Sequence, residues 1–159
     1  MTRTTRLAVL VLLPIVAGCN DGEEVTAESI QKAKRLWTQA QIRDYDLEWT
    51  SSGPSNAHYR AVVRDGDVRS VESIQPGGQS VVVHPAEPRY YGVDGLFLIV
   101  AEELEQLRRP EPFGQPKGTK AILRFTPDPK LGFPRSYRRD VLGAPRALAI
   151  DVIRFEKTK

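Results

Sequence analysis

Ile30, Ala33, Trp37 and Ala40 recur at three- and four-residue steps, the spacing that collects apolar side chains on one face of a helix. Thr26 stands where an N-cap hydroxyl accepts a first-turn amide, and Glu28 complements the helix dipole, so a helix is predicted near 27–42. The period then drops to two. Tyr45, Leu47 and Trp49 alternate with Asp44, Asp46 and Glu48, which reads as a half-buried strand. After the turn-forming run Ser51-Ser52-Gly53-Pro54-Ser55-Asn56, Tyr59, Ala61 and Val63 alternate with His58, Arg60 and Arg64. Asp65-Gly66 supplies the two positive-φ positions of a tight hairpin, and Val68 to Ile74 runs back as its partner.

Pro76-Gly77-Gly78 interrupts this pattern, Val81-Val82-Val83 reads as a short strand, and Pro85 and Pro88 predict a loop. Leu96, Phe97, Ile99, Val100, Leu104 and Leu107 return to helical spacing, with Asp94 as the expected N-cap and Pro110 as the stop. Three strands follow: around Ala121 to Phe125, from Phe133 to Asp140, and from Ala147 to Phe155. The expected class is α+β, two helices packed on an antiparallel sheet, because runs of strands follow each helix instead of alternating singly with it. Residues 26–159 form one domain in this reading, with a weak internal duplication into helix-plus-meander halves, 26–84 and 90–157.

The beginning of the chain follows a different grammar. Arg3 and Arg6 precede an apolar run from Leu7 to Val16, too short to span a bilayer as a helix and suited to a cleavable leader. Its end, Val16-Ala17-Gly18-Cys19, resembles the bacterial lipobox, in which small residues fit the signal peptidase and the cysteine thiol receives lipid before cleavage. The leader is therefore assigned to 1–18, lipidation to Cys19 and a flexible polar tether to 19–25. Several acyl chains on one cysteine anchor firmly, whereas a single chain binds marginally. The expected location is a bacterial membrane surface after export, with inner or outer membrane left open.

Composition changes this picture little. The formal charge of +3 includes two arginines that leave with the leader, so the mature chain lacks the basic excess that nucleic-acid binding draws on. Its one cysteine is Cys19, which leaves the domain to be held by packing without disulfides.

Trp37 followed by Tyr45-Asp46-Leu47, then Val63-Arg64-Asp65-Gly66, Val93-Asp94-Gly95-Leu96-Phe97, and Gly132-Phe133-Pro134 leading to a strand ending at Asp140, together resemble an uncharacterised bacterial family, the domain of unknown function family 6174. The resemblance spans nearly the whole mature chain and implies a secreted protein or lipoprotein, with no activity attached. Relatives often carry cysteines after the first strand where this chain has Ser51-Ser52-Gly53, so any role of those cysteines does not transfer.

Candidate chemistry is sparse. His58 and His84 lie outside metal-ligand spacing, and the sequence carries no nucleophile elbow, phosphate loop or dinucleotide fingerprint. Neither a metal nor a cofactor is expected. Asp44 and Asp46 read as a solvated strand face, Asp65 and Asp94 as turn and cap, and Trp37, Tyr45, Trp49, Tyr59, Phe97, Phe125 and Phe133 as core. Two surfaces are candidates for a charged envelope partner: a sheet face bearing Arg60, Arg64 and Arg124, and a loop carrying Tyr90-Tyr91. A non-catalytic binding or assembly module is the first expectation, and a hydrolase built on His58 or His84 the second, separated by whether either histidine shares a concave pocket with a carboxylate.

Overall fold

The computed structural model describes residues 22–53, 56–143 and 147–158. Helix α1 spans Ala27–Ala40 and opens with a capping box: Thr26 Oγ1 accepts the Ser29 amide, and Ser29 Oγ accepts the Thr26 amide, both at 3.0 Å. It ends two residues earlier than the apolar period suggests, because Gln41 turns left-handed at φ 50°. Strands β2 (Tyr45–Ser52), β3 (Ala57–Arg64), β4 (Asp67–Ile74) and β5 (Ser80–Val83) then form an antiparallel meander. Asp65 and Gly66 have φ of 55° and 84° in the β3–β4 turn, the pair of positive angles that a two-residue hairpin requires. A 3-10 turn at Pro88–Tyr91 leads into helix α2 (Val93–Leu107), and a second meander follows in β6 (Ala121–Pro127), β7 (Pro134–Val141) and β8 (Leu148–Lys157).

The two meanders merge into one sheet. Strand β8 pairs antiparallel with β2, and Glu23–Glu24 (β1) adds to the far edge beside β6, giving the order β1-β6-β7-β8-β2-β3-β4-β5. The domain is α+β with both helices on one face of an eight-stranded antiparallel sheet. Register decides which side chains they cover. Tyr45, Leu47 and Trp49 sit opposite Val63, Ala61 and Tyr59, and Leu123 and Phe125 opposite Arg139 and Tyr137, all on the helix side. Trp37 of α1 meets Tyr45 and Phe155 edge-on at 5.5 and 5.9 Å, and Phe97 of α2 meets Phe125 at 6.5 Å. Fully burying side chains such as Leu47, Phe97 and Phe125 contributes about 1.5–3 kcal/mol each.

Two expectations need correction. The tether does not extend to residue 25: Glu23 and Glu24 pair with Phe125 and Arg124, the Val25 amide donates to the Leu123 carbonyl, and Val25 is buried. Asp94 is not the cap of α2 either. Gly92 holds the N-cap position, and the Val93 amide donates to the hydroxyl of Tyr45 at 2.9 Å, so a strand side chain caps the helix from across the core. Burial pushes the Tyr45 hydroxyl up to about 12, against the lowering effect of the Val93 amide and with a smaller push from Asp94. The β6–β7 turn is locked onto α1 at Gly132, where a Cβ would stand 2.2 Å from the Ala33 carbonyl oxygen.

Candidate functional site

The face of the sheet away from the helices is open and crossed by ion pairs. Alternation along β2 and β3 puts Asp46, Glu48 and Thr50 on this side, opposite Val62, Arg60 and His58. Glu48 is the hub. Its Oε1 lies 2.7 Å from His58 Nε2 and its Oε2 3.2 Å from Arg60, which also reaches Glu72 at 3.5 Å; Ser80 donates to Glu72 in turn. Partial burial pushes the Glu48 carboxyl up, but the contacts from His58 and Arg60 outweigh it and hold the group below its ordinary value. Arg64 contacts Asp46 at 2.9 Å and donates to the carbonyls of Tyr45 and Val63.

The second meander repeats the arrangement with different residues. Arg124 pairs with Asp140 at 3.3 Å, Arg138 grips both oxygens of Asp151 at 2.7 and 2.9 Å, and Arg154 pairs with Glu156 at 2.8 Å. Arg60, Arg64 and Arg124 thus share one face, yet β6 and β3 are four strands apart, about 19 Å at ordinary strand spacing. Each of the three is matched by a carboxylate, so the face is a mosaic of pairs with a short-ranged field.

The two histidines divide the features expected of a catalytic base. His58 touches a carboxylate but lies on the open sheet face; His84 lines a depression of about 150 Å³ with Val68, Arg69, Val82 and Pro88, and no carboxylate lines it. The Tyr90-Tyr91 segment is a 3-10 turn tied to the domain. Tyr90 donates to Glu102 at 2.8 Å, and this hydrogen bond raises the pKa of its hydroxyl. Tyr91 packs at 5.9 Å from Trp49 and 5.0 Å from Tyr59, and its carbonyl accepts the Trp49 indole N–H at 3.2 Å. Tyr90 is therefore the more available of the two.

A buried ion pair lies under α2, outside the residues that the sequence singles out. Arg139, buried beneath α2, donates through Nη1 to both oxygens of Glu103 at 2.8 and 2.7 Å, while Tyr137 donates to the same carboxylate at 2.9 Å. The Arg139 guanidinium also lies 4.4 Å from the centre of the Phe113 ring, and its Nε has no acceptor among the described residues. Desolvation and the neighbouring Glu103 raise the Tyr137 hydroxyl far above its ordinary range. A buried arginine held this way staples α2 and the loop after it to β7. The signal was available: Tyr137, Arg139 and Val141 share strand parity, and Glu103 falls on the Leu96–Val100–Leu104 stripe of α2.

Val16, Ala17, Gly18 and Cys19 lie outside the described residues. Among the described residues, no group of three or more His, Cys, Asp or Glu is placed to hold a metal ion, and no helix is long and apolar enough to cross a membrane. No protein-family model matches the chain, and comparison with curated proteins finds no match.

Proposed function

We propose that the chain is an exported protein, acylated at Cys19 after removal of 1–18, whose domain is a binding or assembly module of the bacterial envelope. Membership of the domain of unknown function family 6174 belongs to the same proposal. The observation that supports the module reading best is the one-sided sheet. Two helices cover one face, while the other presents a broad, polar surface fixed in place by cross-strand pairs. Such a surface offers a charged envelope protein a set of arginines and carboxylates already held in position, so little side-chain ordering is left to binding.

A hydrolase stays the second reading on the His58–Glu48 contact, since a carboxylate at 2.7 Å orients a general base. But the pair lies on the open sheet face and His84 lines a depression without a carboxylate, so the criterion of a shared concave pocket favours the module. The test joins anchoring to partner capture. Intact Cys19 gives a mature chain carrying the mass of acyl groups and retained in membranes; Cys19→Ala gives an unprocessed or soluble chain. Membrane retention and normal mature mass in Cys19→Ala overturn the lipoprotein reading. Crosslinking the acylated protein in its own membranes then identifies the partner, and Arg60→Glu with Arg64→Glu, shown to be folded, slows its association at low salt by roughly tenfold if the open face is used. Unchanged kinetics move the contact to the Tyr90 side.

A further inference from the structure

We infer that the end of the sheet at the β6–β7 turn, with Pro129, Lys130, Leu131, Arg135 and Ile153, rests on the phosphate-bearing headgroup layer of the membrane that carries the chain. The inference rests on acylation at Cys19 and deepens that reading by assigning the surface that faces the lipid.

Chain length and the position where the fold begins carry the argument. Gly22 is three residues after Cys19, so covalent geometry limits the distance between their Cα atoms to about 11 Å. At Gly22 the chain is already against Phe125 and Thr126, and from Glu23 it is paired with β6. An anchor on so short a leash cannot hold the domain well clear of the bilayer. From β1, strand β7 is two strands away and β8 three, about 10 and 14 Å, which brings the start of β7 and the bulge of β8 to the same side as the anchor.

The residues at that end have interfacial chemistry. Asp128 Oδ1 accepts the Lys130 and Leu131 amides at 2.9 and 2.8 Å, and the Asp128 amide donates to the Phe133 carbonyl, which makes the turn a firm projection with Pro129 and Lys130 exposed. Leu131, Phe133, Arg135, Ile153 and Phe155 line one depression of about 310 Å³, together with Arg154 and the acidic Asp128. Ile153 falls at the β8 bulge, without a partner on β2, and is 55 % exposed. Lys130 and Arg135 have no ion-pair partner among the described residues, unlike the arginines of the open face. Long cationic side chains beside exposed apolar ones suit the headgroup layer, where the stem sits in apolar surroundings and the charge meets phosphate. Glu23 and Glu24 bring opposite charge to the same edge, so charge alone binds weakly and the acyl anchor supplies the local concentration. In this pose the ion-paired face stands free for a partner.

The test uses the full chain produced with its acyl groups and reconstituted in vesicles of phosphatidylcholine with a minor fraction of phosphatidylglycerol. A spin label is placed at Pro129→Cys or, on the opposite edge and end of the sheet, at Gln79→Cys. Mass and vesicle flotation establish acylation separately; a chain without acyl mass overturns the anchoring reading and this inference with it. In the acylated protein, the label at 129 is expected to be several-fold less accessible to a water-soluble paramagnetic reagent than the label at 79. Adding Lys130→Glu and Arg135→Glu should restore much of that access. Equal access at both positions in a floated, acylated protein overturns the inference while leaving anchoring intact. Protection in native membranes but not in vesicles also overturns it and assigns the rim to a protein.

Discussion

Arg138 and Arg139 are neighbours in sequence and opposites in environment. Strand parity sends Arg138 to the open face, where it grips Asp151 with both side chains more than a third exposed. Arg139 goes beneath α2, where it grips Glu103 with both side chains below a fifth. The two contacts have nearly the same lengths, so geometry does not separate them. Solvent does. In water-screened surroundings a pair gains little over its hydrated halves, whereas under the helix each charge has lost its water and depends on the other. One face of this sheet thus uses charge to stay soluble and presentable, and the other uses it to staple a helix.

The largest effect should come from breaking the buried member. Glu103→Ala leaves Arg139 charged and unpaired and removes the acceptor of the Tyr137 hydroxyl; the expected loss is about 3–5 kcal/mol, read from chemical denaturation. Replacing both partners, Glu103→Leu with Arg139→Met, should recover the part of that loss due to the stranded charge and leave about 1–3 kcal/mol for the Tyr137 hydroxyl, which still lacks its acceptor. A Glu103→Ala variant within about 1 kcal/mol of the parent would show that Arg139 regains water, and would dissolve the contrast between the faces.

Next in size is the hydroxyl that caps α2. Tyr45→Phe keeps the ring against Trp37 and Phe155 but leaves the buried Val93 amide without an acceptor, an expected loss of about 1–3 kcal/mol. The folded-state value, raised to about 12 from 10.0, favours the protonated form. Its contribution is complete below pH 10.0 and lost as pH rises toward about 12. Tyr45→Phe should therefore flatten, without abolishing, the alkaline fall in stability, since Tyr137 is shifted in the same direction. An unchanged alkaline slope would show that the Tyr45 hydroxyl keeps its water in the folded protein, while a Tyr45→Phe variant as stable as the parent at neutral pH would refute the capping role.

How much of this was legible depends on the range of the interaction. The capping box at Thr26, the hairpin at Asp65-Gly66 and the alternation through β2 and β3 are local, and each forms where the sequence places it. Local pattern points to Asp94 as the cap of α2, whereas the acceptor is Tyr45, 48 residues away, and no local rule reports so distant a hydroxyl. Glu23 and Glu24 read as tether because their composition is that of one; they are ordered by backbone pairing, which leaves no mark on side-chain type. Arg60, Arg64 and Arg124 were placed on one face by parity alone, but parity is silent on the carboxylates beside them.

Glu48 tests the open face at its hub. Glu48→Gln removes the charge shared by His58 and Arg60 and should cost about 1 kcal/mol at neutral pH, the upper end for cross-strand pairs. Because its carboxyl titrates below the ordinary 4.5 in the folded protein, the parent keeps this contribution above that pH and loses it as pH falls through the lower folded value. The Glu48→Gln variant should converge with the parent in acid. A gap that persists there would assign the loss to packing instead of charge.

Smallest should be Arg138→Ala, the open-face counterpart of breaking the staple. The pair with Asp151 is bidentate, but about two-fifths of each side chain is exposed, so water replaces whichever partner is removed. The expected loss is about 0–1 kcal/mol, shrinking further in molar salt, where the screening length falls to about 3 Å. Denaturation of parent and variant at low and high salt decides the matter. A salt-insensitive loss near that of Glu103→Ala would mean that water does not reach the pair, and that this side of the sheet is covered in solution. A small, salt-sensitive loss has a practical consequence for function. Arginines that contribute little to folding can be reversed without unfolding the domain, so a change in partner association at Arg60, Arg64, Arg124 or Arg138 would report on the interface and not on the fold.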